Sequence, residues 1–122
     1  MNALDLTKQP PRSPRELLPG LDLLMAARTV DKMRATLPGG NIGSYQITGL
    51  RSRLLERLGI VESALREAVA NAASDDAVAR WIAAHSEAGR YAEINAALER
   101  ATIGERLDEQ AGLSLKKRLF SK

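Results

Sequence analysis

The stretch LDLLMAARTVDKMRATLPGGNIGSY, from Leu21 to Tyr45, limits the fold more than any other part of the chain. Leu23, Ala26, Val30, Met33 and Leu37 recur at steps of three and four residues, the spacing of one buried helix stripe. Arg28, Asp31 and Lys32 share a second face at the same steps. Pro38 cannot continue a helix and Gly39 and Gly40 accept positive φ, so the pattern ends there. The expectation is one helix of about four turns, then a glycine-rich loop, then a short extended exit over Ser44 to Thr48.

The rest of the chain repeats that helical period. Leu50, Leu54 and Leu58 share a face of a helix that Thr48 is placed to cap and Gly59 to interrupt. Val61, Ala64, Leu65, Ala68, Val69 and Ala72 form the clearest seam, small enough to admit a neighbour closely and expected at the bundle centre. Ser74, Asp75 and Asp76 open the next helix, capping free amides and placing negative charge at its positive end. Its inward face is Val78, Trp81 and Ile82, ending near His85. A further helix from about Gly89 buries Tyr91, Ile94, Ala97 or Leu98, and Ala101. Leu115, Leu119 and Phe120 suit a last short helix. With no strand alternation of any length, the predicted class is all-α: a small bundle of about five or six helices in a single domain over residues 1–122.

Before the long stripe, Pro10, Pro11 and Pro14 exclude helix between Leu6 and Arg15. A flexible tail, a signalling-type proline motif and an extended arm packed on its own domain all fit. Leu4 and Leu6, apolar anchors ahead of the prolines, favour the arm, spanning residues 1–15. Arg12 and Arg15 would then be within reach of Asp31 or of the carbonyls that end the long helix. Ser13 and Pro14 have the cap and first-turn chemistry of a short helix over Arg15 to Leu18.

Composition narrows the function classes. The absence of cysteine removes disulfides, thiolate catalysis and thiolate zinc sites. The single histidine, without cysteine partners, is not a metal centre, and it reads as helix-end packing. No segment has signal-peptide character or approaches the ~18 apolar residues of a spanning helix, so the expected location is cytoplasmic, with no membrane partner. Charge is segregated. Nine basic against five acidic residues from Met1 to Arg57 leave +4, five against ten from Leu58 to Glu109 leave −5, and the last thirteen residues carry +4. Such polarity steers an anionic partner or favours contact between copies. Arg51, Arg53, Arg57 and Lys116 to Arg118 raise nucleic acid as a partner. The acidic middle and the scarcity of aromatics make it the less favoured one.

Leu6-Thr7-x-x-Pro10-Pro11-Arg12-Ser13-Pro14-Arg15, Asp31-Lys32-x-Arg34-Ala35 and Gly43-x-Tyr45 resemble a family of small bacterial proteins catalogued as a domain of unknown function. Ser74-Asp75-x-x-Val78-x-x-Trp81 is similar to that family's second half. Where the family tends to have Leu-Gly-Gly this chain has Leu18-Pro19-Gly20, and where it tends to have Gly-Glu-Tyr this chain has Gly43-Ser44-Tyr45. No role requiring a carboxylate beside Tyr45 carries over. The resemblance implies a small soluble bacterial domain and supplies no activity, substrate or cofactor.

Two groupings are candidate sites. The loop Gly39 to Ser44 offers backbone amides to an anion, although it lacks the lysine and the preceding strand of a P-loop. Arg28, Asp31 and Lys32, facing the arm, form either an exposed intrahelical ion pair or a polar pocket. The combined candidate for binding an anion or small ligand is Arg12, Arg15, Arg28, Asp31, Lys32, Arg34, Gly40, Gly43 and Tyr45. No catalytic residue, metal ligand or cofactor is assigned. The functional expectation is a non-catalytic interaction or small-ligand-binding module, its partner a small anionic molecule or another protein. The alternative is an enzyme acting on a small anionic substrate through the arginines and Tyr45.

Overall fold

The computed structural model describes residues 1–47 and 53–100. Its helices are α1 (Ala26–Ala35), α2 (Leu54–Leu58), α3 (Glu62–Asn71) and α4 (Asp75–Ala84), followed by a 3-10 turn (Ala88–Arg90) and α5, helical over residues 91–100. Among the described residues there is no strand, only the isolated bridges Asp5–Asn41 and Leu18–Leu21. The fold is all-α.

The core is built around α1. Leu23, Ala26, Ala27, Val30 and Met33 have no accessible surface, and α1 packs on α3, which packs on α4. The alanines on α1 present no bulk, which lets Leu65 and Val69 of α3 and Val78 and Ile82 of α4 join one apolar cluster with Tyr91, Ile94 and Leu98 of α5. Ser74 caps α4 as its sequence position implies, its hydroxyl accepting from the Ala77 amide at 3.4 Å. Trp81 stands only partly buried at the margin of this cluster.

Four local expectations are corrected. The long helix begins at Ala26, not Leu21, because residues 21–25 satisfy their backbone elsewhere. The Leu24 amide donates to Asn95 Oδ1 (2.8 Å), the Met25 amide to the Pro14 carbonyl (2.8 Å), and Met25 takes a left-handed φ of 69°. Arg15 to Leu18 is not helical. The Glu16 amide closes a turn on the Ser13 carbonyl, and a second turn follows in which Leu21 donates to Leu18 across Pro19-Gly20, with Gly20 at φ 69°. The α3 seam is narrower than its spacing implies. Leu65 and Val69 are buried, whereas Val61 is 67% exposed and Ala64 is exposed, since α1 and α4 cover one side of that helix only. Ser44 to Ile47 form no strand; the Tyr45 amide turns back to the Ile42 carbonyl. The expectations for Thr48, Leu50 and everything beyond Arg100 lie outside the described residues.

The N-terminal residues run across the C-terminal end of α1. Leu4 donates to the Arg34 carbonyl (3.2 Å) and accepts from the Asn41 amide (2.9 Å), and Leu6 donates to the Asn41 carbonyl (2.8 Å). Leu6 is buried, and the terminal amino group of Met1 donates to carbonyls of Val69 and Ala72 at 3.1 and 2.6 Å.

Candidate ligand-binding site

With Leu6 buried and Asn41 paired, the following prolines carry the chain along the second face of α1. There Arg12 meets Asp31. Its backbone amide donates to Asp31 Oδ2 at 2.7 Å, and Nε and Nη2 donate to the same carboxylate at 3.1 and 3.0 Å. The guanidinium also spans to α4, with Nη1 2.8 Å from Asp75 Oδ2. The Asp31 side chain is nearly buried at 6% exposure, while Arg12 and Asp75 keep about a quarter to a third of theirs (27% and 31%). Burial by itself would lower the Arg12 pKa, but the hydrogen bonds and charges of Asp75 and Asp31 outweigh it and hold the group above the ordinary arginine range. Arg12 is therefore a fastener of the arm, with its donors directed at two carboxylates.

The remaining candidates separate. Arg34 donates from Nε to the Asn2 carbonyl (2.7 Å), and its Nη1 lies 4.0 Å from Asp31. Arg15 is remote from that group's chemistry and pairs on the surface with Glu99 at 3.2 Å. Lys32 is buried, at 7% exposure, and engaged within the protein. In the glycine loop the amides of Gly40 and Gly43 are already bonded within the protein. Gly40 donates to the Leu37 carbonyl (2.8 Å) and Gly43 to Asn41 Oδ1 (2.9 Å). Gly40 is held against α1 so closely that a Cβ there would lie 2.6 Å from the Ala35 carbonyl oxygen. These two amides close turns and do not point at a common centre.

Arg28 differs from its neighbours. Its Nη1 donates to the Arg12 carbonyl at 3.2 Å, and its guanidinium carbon lies 5.7 Å from the centroid of the Tyr45 ring, within cation–π reach. Among the described residues no carboxylate lies within ion-pair distance of Arg28, whereas Arg15 and Arg34 each have one and Arg12 has two. The half-buried Arg28–Tyr45 pair, with Nε and Nη2 uncommitted to described residues, presents the planar donor edge that recognises a carboxylate or phosphate. Among the described residues no group of histidine, cysteine and acidic side chains could hold a metal ion.

Two contributors escaped the sequence reading. Asp75, read there as a capping residue, is also the second partner of Arg12, 63 positions away. Asn95 clamps the segment before α1, accepting from the Leu24 amide and donating to the Asp22 carbonyl at 3.0 Å. Neither residue carries a local signal, because each acts across the fold.

A helical bundle with an N-terminal segment fastened through arginine to two helices, and a separate arginine–tyrosine pair beside it, defines the class. The chain belongs to the family described as a domain of unknown function, DUF5069, whose model matches residues 8–117. Neither a curated protein nor a solved structure matches it. No described helix is long and apolar enough to cross a membrane.

Proposed function

We propose that this protein is a non-catalytic small-ligand-binding module whose ligand presents a carboxylate or phosphate group to Arg28 beside Tyr45. One observation carries the reading: the Arg28 guanidinium is half-buried on an aromatic ring and, among the described residues, has no carboxylate to balance it. An arginine in that setting gains more from an anion than a fully solvated one, because less water competes for its donors. The other arginines of the N-terminal third are already paired, which narrows the nine-residue candidate to Arg28 and Tyr45, with Arg12 lending its backbone carbonyl to orient the guanidinium.

The test is a thermal-shift series with inorganic phosphate, acetate and a panel of phosphorylated metabolites. A ligand bound only by the folded state raises its stability with concentration, by about 2.7 kcal/mol at a hundredfold excess over Kd. Stabilisation lost in Arg28→Gln and kept in Arg15→Gln supports the site. Stabilisation indifferent to Arg28 moves the anion elsewhere, and catalytic turnover of any panel compound would replace the binding reading with the enzymatic one.

A further inference from the structure

Away from Arg28, the C-terminal ends of α2 and α4 and the start of α5 border an open cleft of about 490 Å³, within the range of small-molecule sites. The buried Leu58 and Ile94 contribute apolar surface; Glu56, Arg57, Glu87 and Arg90 bring two charges of each sign. The lone histidine of the chain, His85, stands among them.

His85 is held more tightly than an exposed helix end requires. Its ring stacks on Trp81 with centroids 4.0 Å apart and planes at 18°, and Nδ1 lies 2.8 Å from the Trp81 carbonyl oxygen. A carbonyl only accepts, so that contact assigns the proton to Nδ1 and leaves Nε2 of the neutral ring as an acceptor. Ser86 carries the one hydroxyl lining the cleft. It donates to the Ile82 carbonyl and accepts from the Tyr91 hydroxyl, so its proton is not available for His85 to take. The arrangement therefore offers, when the ring is neutral, an acceptor of fixed direction, with balanced charges and no activated nucleophile, which is the chemistry of binding.

The balance of charge selects the ligand. A purely anionic or cationic molecule would meet one repelling side chain for each attracting one, whereas a molecule bearing both charges can satisfy both signs. Arg57 is engaged within the protein, while among the described residues the side chains of Arg90 and Glu87 have no hydrogen-bond or ion-pair partner, their one shared bond being main chain, from the Arg90 amide to the Glu87 carbonyl at 2.9 Å. We infer that this cleft binds a small zwitterion of the amino-acid type, its carboxylate on Arg90 and its ammonium group between Glu87 and His85 Nε2. The site is separate from Arg28 and does not depend on the reading given to that residue.

The sole histidine and the sole tryptophan provide unambiguous reporters. The twenty free amino acids are titrated into the full chain while the His85 Cε1–H and Trp81 indole N–H resonances are followed. The expected result is a saturable shift for at least one of them, weakened about tenfold or more by N-acetylation or amidation of that amino acid. Arg90→Ala and Glu87→Gln should each remove it and Arg28→Ala should leave it intact. Both cleft variants change exposed side chains, and an unchanged Trp81 spectrum in the free protein establishes that they are folded. No saturable shift from any amino acid, equal response to the blocked derivatives, or binding retained in Arg90→Ala would each overturn the assignment.

Discussion

Asp31 receives Arg12 twice, once through the backbone amide at 2.7 Å and once through the guanidinium at 3.0 and 3.1 Å. One carboxylate thus fixes both the path of the arm and the direction of its side chain. Because Asp31 is nearly buried, removing it leaves a main-chain donor and a charged group without their shared acceptor, whereas removing Arg12 leaves the amide of residue 12 still bonded.

Asp31→Ala should therefore destabilise the protein by roughly 2–3 kcal/mol, and Arg12→Ala by less. Asp75→Ala should cost about 1 kcal/mol or under, since its partly exposed pair is screened by solvent. Urea denaturation of the three variants orders them. A loss in Asp75→Ala equal to that in Asp31→Ala would show that the α4 contact, and not the α1 contact, fixes the arm.

Exposure separates two apolar residues of the α3 region. Leu65→Ala removes methyl groups from a site 1% exposed and should cost about 2–5 kcal/mol. Val61→Ala, at a position 67% exposed, should change stability by about 0.5 kcal/mol or less. Equal losses in chemical denaturation would return Val61 to the core.

Gly40 tests the turn that follows α1. An alanine methyl there would sit 2.6 to 3.0 Å from three backbone atoms of Ala35, so Gly40→Ala should cost about 1–3 kcal/mol and loosen the pairing of Asn41 with the arm. Gly20→Ala meets no atom within 4 Å and bears only the penalty of positive φ, about 1–2 kcal/mol. Melting curves, with the Leu6 amide as an NMR reporter, distinguish local loosening from general destabilisation.

Asp5 supplies a pH-dependent contribution. The Thr7 hydroxyl and then the Thr7 amide (2.9 Å) donate to its carboxylate, and with Lys8 nearby they hold its pKa below the ordinary aspartate value. A depressed folded-state pKa means stability present above the unfolded value and lost as pH falls through the folded one. An NMR titration should therefore place Asp5 below a peptide reference, and Thr7→Ala should move it back toward that reference.

The helical class and the buried members of each stripe were legible because a repeat of three and four residues is a local property. Leu65, Val69, Val78 and Ile82 follow from it directly. The start of α1 was not legible. Leu21 to Met25 continue the stripe, yet the Asn95 side chain and the Pro14 carbonyl offer their amides partners that a helix would have to outbid. The distinction among the arginines was equally hidden. Arg12, Arg15, Arg28 and Arg34 look alike in sequence, and only the fold decides which receive a carboxylate.

The pairing of Asp5 with Asn41 joins two segments that lie on opposite sides of α1 in the sequence, enclosing that helix in a closed circuit of main chain. Neither segment can leave without breaking the other's hydrogen bonds, so they constitute one cooperative unit and not two independent loops. The amides of Leu6 and Asn41 should exchange with solvent at a common rate, slowed or quickened together by any change at either end. The proline-rich beginning and the glycine turn would then share, at that place, a single opening event.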